Sequence, residues 1–136
     1  MAGNVRDVTV RWRDGLRFEG AAPGRPAVLV DGDSVDALSP VELLLVAAAT
    51  CTGADVVSIL RKQRVDLRAL AMAVRGTRRE THPRRYTAIH VTFTITGGGA
   101  DEAKARRAID LSLQTYCSVV ASLAADLRVT YDVVRA

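Results

Sequence analysis

The sequence predicts an α+β fold with the element order βββ-α-ββ-α-β and antiparallel strand pairing. Three observations carry that prediction. Short segments with the period-2 alternation of half-buried strands come mostly as hairpins, separated by Gly, Pro and Asp turn signals. Between the first group and the next lies "LLLVAAATCTGADVVSIL" (residues 43–60), apolar almost without a break. A second, shorter helical pattern precedes the last strand segment. Strands joined by tight turns pair antiparallel, and a helix that is apolar all round must be buried, so the long helix is expected to pack centrally against the sheet.

The elements follow in order. "DVTVRW" (residues 7–12) alternates apolar and polar residues, and "RDG" after it is a hairpin signal because Asp-Gly accepts positive φ. "LRFEG" (residues 16–20) alternates again, "AAPGRP" turns the chain, and "AVLVD" (residues 27–31) completes a three-stranded meander. After a polar loop, Ser39 and Pro40 mark a helix start. The serine accepts from free N–H groups, and the proline occupies the first helical position, where no N–H is needed. Glu42 completes a capping box. The helix is expected to run from Pro40 to about Gln63, with Arg61, Lys62 and Arg64 suiting the negative pole of its dipole. "VDLRALAMAVRGTRRE" (residues 65–80) reads as a strand with Leu67, Ala69, Ala71 and Ala73 on one face. "THPRR" links it to "YTAIHVTFTITG" (residues 86–97), which places Ile89, Val91, Phe93 and Ile95 on one side and Thr and His on the other. A glycine turn leads into a helix from about Asp101, with Ala105, Ala108, Ile109, Leu111 and Leu113 as its apolar face. A helical turn follows Cys117, and "RVTYDVV" (residues 128–134) closes the chain as a strand.

Composition bounds the function. A length of 136 residues fits one domain spanning residues 1–136. Aromatics are only 4 %, so the core must be built from Val, Leu, Ile and Ala. The net charge of +4 comes from 17 Arg and 2 Lys. Nucleic-acid binding needs a basic stripe interleaved with aromatics, and "RGTRRETHPRRY" (residues 75–86) has one aromatic and reads as a charged hairpin tip. The uncharged centre of the long helix, Leu43 to Ala54, is 12 residues, short of the roughly 20 a membrane span needs. "MAGNVRDVTVRW" has no apolar run of signal-peptide length, so a cytoplasmic protein without membrane or nucleic-acid partners is expected. His82 and His90 lie far in sequence from either cysteine, and no C-x-x-C occurs, so neither metal nor cofactor is expected.

The two cysteines are the candidates for chemistry. Cys51 lies about three turns into the long helix, and Cys117 lies at or near the end of the second. A free cysteine often serves as a small buried hydrophobe. Small neighbours allow close approach here: Thr50 and Gly53 beside Cys51, Ser118 beside Cys117. Both helices are central, and no further cysteine is present. Periodicity does not show whether the two thiols meet.

"SPVELLLVAAATCTGADVVSIL" and "TYCSVVASL", with "HPRRYTAIHVTF" and the N-terminal "W..GLRFEG", resemble the OsmC/Ohr family of osmotically induced and organic-hydroperoxide-resistance proteins. The likeness covers nearly the whole chain and is strongest to the OsmC-like branch. It implies an intertwined homodimer whose sheets take strands from both chains, and thiol-dependent reduction of organic hydroperoxides. Cys51 would be the peroxidatic thiolate, Cys117 would resolve its sulfenic acid to a disulfide, and a cellular dithiol would restore both. A thiolate needs a nearby cation. The family takes an Arg from the N-terminal hairpin, held by a Glu near the start of the cysteine helix. Arg13 matches best, with Arg11 and Arg17 as rivals, and Glu42 is the candidate carboxylate. The peroxidase branch usually has Glu directly after the helix-starting Pro; here Val41 holds that place, leaving Glu42 with two readings, cap or Arg-orienting group. The alternative to the enzyme is a dimer of the same fold that binds a small apolar ligand or senses redox state.

Overall fold

A computed structural model describes residues 3–136. The chain forms two units, the first ending at Leu44 and the second starting at Leu45.

The N-terminal unit is the expected meander. Strands β1 (Thr9–Asp14), β2 (Arg17–Ala21) and β3 (Val28–Asp31) pair antiparallel in the order β1-β2-β3. Trp12 lies opposite Phe18, and Phe18 opposite Val30, so the register lines up one apolar row. The register slips between Trp12 and Asp14, leaving Arg13 at the irregularity, and Gly15 takes φ +50° in the turn. Every residue of β1 is exposed. Beyond β3, the buried Asp31 carboxylate accepts the backbone N–H groups of Asp33, Val35 and Asp36 and so shapes the loop. These bonds, those from Asp36 and Asp33 foremost, hold Asp31 below the usual carboxylate range.

Helix α1 (Pro40–Lys62) starts with the predicted capping box: Glu42 N–H donates to Ser39 Oγ at 3.3 Å, and Ser39 N–H donates to Glu42 Oε1 at 2.9 Å. Ala48, Ala49, Thr52, Gly53, Val56 and Leu60 form its buried side. The helix is not buried all round. Val46, Ala47, Thr50, Ala54 and Ser58 make an exposed stripe at helical spacing. By length and composition α1 could cross a membrane, a test that the core helix of a soluble protein also passes. Val56 and Leu60 are fully buried, and a Cβ at Gly53 would come within 2.8 Å of Met72 Cε, so glycine permits the close approach to the next strand.

The second sheet holds β4 (Asp66–Arg78), β5 (Tyr86–Gly98) and β6 (Arg128–Arg135) in that order. Two expectations are corrected here. Antiparallel pairing holds for β4 with β5, but β6 runs parallel to β5, from Ala88 opposite Arg128 to Ile95 opposite Arg135. The helical segment between them carries the chain back to the end where β5 began, and such a crossover delivers a parallel strand. In β4 the register shifts between Leu67 and Ala69, and the irregularity reverses the faces beyond it. Leu70, Met72 and Val74 are the half-buried row, while Ala69, Ala71 and Ala73 are exposed. β5 behaves as its alternation predicts, with Ile89, Val91, Phe93 and Ile95 buried, and Phe93 meeting Tyr131 of β6 edge-on at 6.1 Å between ring centres. On the other face His90 joins the two strands, Nδ1 lying 2.7 Å from Thr130 Oγ1 and Nε2 3.1 Å from Asp132 Oδ2. Helix α2 (Glu102–Leu111) is capped by Asp101, whose carboxylate accepts Lys104 N–H at 2.8 Å.

Candidate active site

Two segments of the C-terminal unit build the site. The first is the middle of α1. One residue of an α-helix is about 100° of rotation, so Cys51 and Asp55 share a face and Thr52 stands beside it. The second is the continuation of α2. There the helix widens into a π-helix, Ser112–Tyr116, closed by Cys117 N–H donating to Ser112 O, five residues back, at 2.7 Å. The backbone of Cys117 is then extended, and a short helix α3 (Ser118–Ala121) begins.

Two hydroxyl groups tie these segments together. Thr52 Oγ1 donates to Cys117 Sγ at 3.3 Å, and Ser112 Oγ donates to Asp55 Oδ2 at 2.8 Å. Cys51 is a neighbour that acts on the Cys117 thiol, and both thiols are free. Their environments differ. Cys51 is half-buried, whereas Cys117 is 3 % exposed. Burial pushes the Cys117 thiol pKa up; the Thr52 hydroxyl and the Val120 N–H pull it down, and the neighbouring Cys51 sulfur pushes it up again. Beneath Thr52, the side chains of Ile89, Val91, Phe93, Leu113 and Val120 leave a cavity of only 10 Å³, room for about one water at most. A dry surrounding of this kind strengthens each hydrogen bond to sulfur. Among the described residues no three His, Cys, Asp or Glu side chains gather to hold a metal.

The remaining sequence candidates lie in the N-terminal unit. Arg13 is half-exposed, its Nε 3.7 Å from Glu19 Oε2. Arg17 binds Asp14 at 2.6 Å and also Asp36, and the Arg17 guanidinium lowers the Asp14 pKa. Arg11 lines a shallow groove with Thr9, Glu19 and Ala21. Glu42 accepts from Ser34 Oγ and from Ser39 N–H, and these bonds, Ser34 first, hold its carboxyl below the ordinary range. In this chain Glu42 caps α1, and the carboxylate beside Arg13 is that of Glu19.

Sequence reasoning passed over Thr52, Asp55 and Ser112. One signal was available: Asp55 interrupts an apolar helix, and a charge there needs a partner. Thr52 and Ser112 carry no such mark, because their partners lie 65 and 57 residues away in sequence.

The fold and site define an α+β protein with two free cysteines, one half-buried on α1 and one buried after the π-helix. The comparison with known proteins narrows the class: residues 31–132 match the sequence model of the OsmC-like proteins, and the chain belongs to that family. It is 42 % identical over 130 residues to protein YhfA of Escherichia coli K12, covering 93 % of this chain and 97 % of that one. A crystal structure from Aquifex aeolicus VF5 superposes with a TM-score of 0.84 at 28 % identity, covering 98 % of each chain. The organic hydroperoxide resistance protein OhrB of Bacillus subtilis superposes with a TM-score of 0.60 at 16 % identity over 93 % of this chain and 96 % of that one, a likeness of fold alone.

Proposed function

We propose that this protein is a thiol-dependent reductase of organic hydroperoxides, working as a homodimer in the cytoplasm. The observation that supports this most is the asymmetry of the thiol pair: Cys51 is half-buried, and Cys117 is buried with Cys51 as a neighbour that acts on its thiol. The Cys51 thiolate attacks the hydroperoxide, the O–O bond breaks, one oxygen stays on sulfur as sulfenic acid, and the other leaves as the alcohol after taking a proton. Cys117 then attacks the oxidised sulfur. An S–S bond replaces the S–O bond, and the oxygen leaves as water. A dithiol reduces the disulfide by exchange. The apolar side chains around the pair favour a bulky organic peroxide over hydrogen peroxide. Arg13 is the residue proposed to supply the cation for Cys51; Glu42 is kept as a cap.

The homodimer rests on surfaces a lone chain leaves uncovered. Val8, just before β1, and Val10 and Trp12 within it are 70 %, 64 % and 63 % exposed, and Val8 and Val10 line a groove of 650 Å³ with Phe18, Val28 and Leu43. Apolar surface of that extent marks an interface, and a second copy is the proposed occupant. The same groove favours the second reading, a dimeric protein that binds a small apolar ligand or senses redox state without turning peroxide over.

The test is a thiol count. Reduced protein treated with cumene hydroperoxide should lose both thiols in the wild type and form no disulfide in Cys51→Ser. Retention of both thiols at large peroxide excess removes the enzyme reading in favour of the second. Arg13→Gln should slow the first step about tenfold or more, since one charge-assisted contact to a thiolate is worth roughly 1.5–3 kcal/mol.

A further inference from the structure

We propose that Thr52 is the positioning residue of the second thiol: its hydroxyl holds Cys117 Sγ as a thiolate when that sulfur attacks oxidised Cys51, and again when it departs on reduction. The inference rests on the peroxidase reading but concerns a residue and a step which that reading does not assign.

A buried helical threonine has a usual acceptor for its hydroxyl proton. In a helix the hydroxyl ordinarily bonds back to the carbonyl four residues earlier. Thr50 does so, donating to Val46 O at 2.6 Å. Thr52, two residues on, donates instead to Cys117 Sγ at 3.3 Å, across 65 residues of sequence. Thr52 and Cys117 are each 3 % exposed, so no bulk water competes for the bond. A thiolate in such a place is costly unless donors face it. Thr52 is one, and the Val120 N–H is a second that survives any side-chain change. The tie between Ser112 and Asp55 fixes the other end of the π-helix, so the sulfur is presented to Thr52 from both sides of the turn.

The chemistry follows from this placement. In the resolving step Cys117 gives up its proton, its sulfur bonds to Cys51 Sγ, the S–O bond of the sulfenic acid breaks, and hydroxide leaves and is protonated to water. In the reductive step the thiolate of an incoming dithiol attacks the more accessible sulfur, Cys51. The S–S bond breaks and Cys117 leaves as a thiolate onto the Thr52 hydroxyl. The second thiol of the reductant then frees Cys51 and closes the reductant's own disulfide. Exchange quickens as the leaving thiol becomes a better-stabilised anion, so the Thr52 bond speeds the departure of Cys117 on reduction.

The experiment separates this proposal from the peroxidase reading. In a Cys51→Ala background Cys117 is the sole thiol, and its titration is followed by thiolate ultraviolet absorbance with no peroxide present. Thr52→Val, close to isosteric, removes the donor and should raise the Cys117 pKa by about one unit, a tenfold fall in thiolate at neutral pH. Thr52→Ser keeps the donor and should restore the wild-type value. Thr52→Ala removes the same proton without adding bulk and gives the same readout if the valine variant does not fold. In the two-cysteine protein, dimedone trapping of the sulfenic acid and mass analysis of the disulfide read the two steps apart, and Thr52→Val should slow the second about tenfold more than the first. An unchanged Cys117 pKa in Thr52→Val, or failure of Thr52→Ser to restore it, overturns the proposal. If the wild type forms no sulfenic acid, the peroxidase reading fails while the titration still decides what Thr52 does.

Discussion

Sheets β1-β2-β3 and β4-β5-β6 are both three-stranded, and both carry apolar rows at period two. They differ in what becomes of those rows. Along β5 every second residue from Ile89 to Ile95 is buried, and the row packs with Phe93 against Tyr131. Along β1 every residue is exposed, although Val10 and Trp12 alternate with arginines in the same manner. Alternation therefore reports that a strand has an apolar side, and says nothing of which polypeptide covers it. The polar ties differ too. Around β1 and β2 they are ion pairs of half-exposed arginines, Arg13 with Glu19 and Arg17 with Asp14, each worth little in water. At the thiol site of the C-terminal unit they are hydroxyl bonds between buried or half-buried groups, which are stronger because water is excluded.

The largest effect expected from this contrast lies in β5. Phe93→Ala should cost about 3–5 kcal/mol, through lost transfer energy and the cavity left behind. Urea denaturation should show a loss of that order at every protein concentration; a loss under 1 kcal/mol would mean that the β5 row is no core. The counterpart in β1 is Val10→Asp. With a second copy seated on this face, the charge should weaken association at least tenfold, about 1.4 kcal/mol, in sedimentation equilibrium. An unaltered mass distribution would break the comparison by showing that β1 faces water. Smaller is Ser39→Ala, which removes the cap from α1 and should lower stability by about 1 kcal/mol in a thermal melt. Smallest is a pH effect at the same cap. Glu42 is held below its ordinary value of 4.5 by Ser34 first and then by Ser39. A carboxyl depressed on folding stabilises the fold above its unfolded pKa, and that contribution is lost as pH falls through the folded value. Glu42→Gln should therefore flatten the acid limb of the melting temperature against pH by lowering it slightly at neutral pH, where the ionised carboxyl contributes, and should match the wild type at pH below the folded value.

Much of the fold was legible because it is local. The Ser39–Glu42 box, the turn before Gly15 and the buried row of β5 are each decided by residues a few positions apart. The β4 faces were misread because one irregularity near Arg68 reverses every side chain after it, and "DLRALAMAV" carries no Gly or Pro to mark the place. The direction of β6 was misread because strand periodicity is the same for both senses of pairing; the sense depends on the path through α2. At the thiol site the sequence exposes the cysteines, being few, and conceals their partners. A threonine and a serine are common in helices, and nothing near Thr52 or Ser112 announces a bond to a residue more than fifty positions distant.

The π-helix before Cys117 has a consequence for how this sulfur can be altered. The widened turn holds one residue more than an α-helical turn would, and that surplus sets the azimuth at which Cys117 leaves the helix. Regular α-helical winding of the same residues would swing the sulfur by up to about 100°. A change that lets the wide turn close into an α-helix would thus disconnect the thiols while both cysteines remain in the sequence.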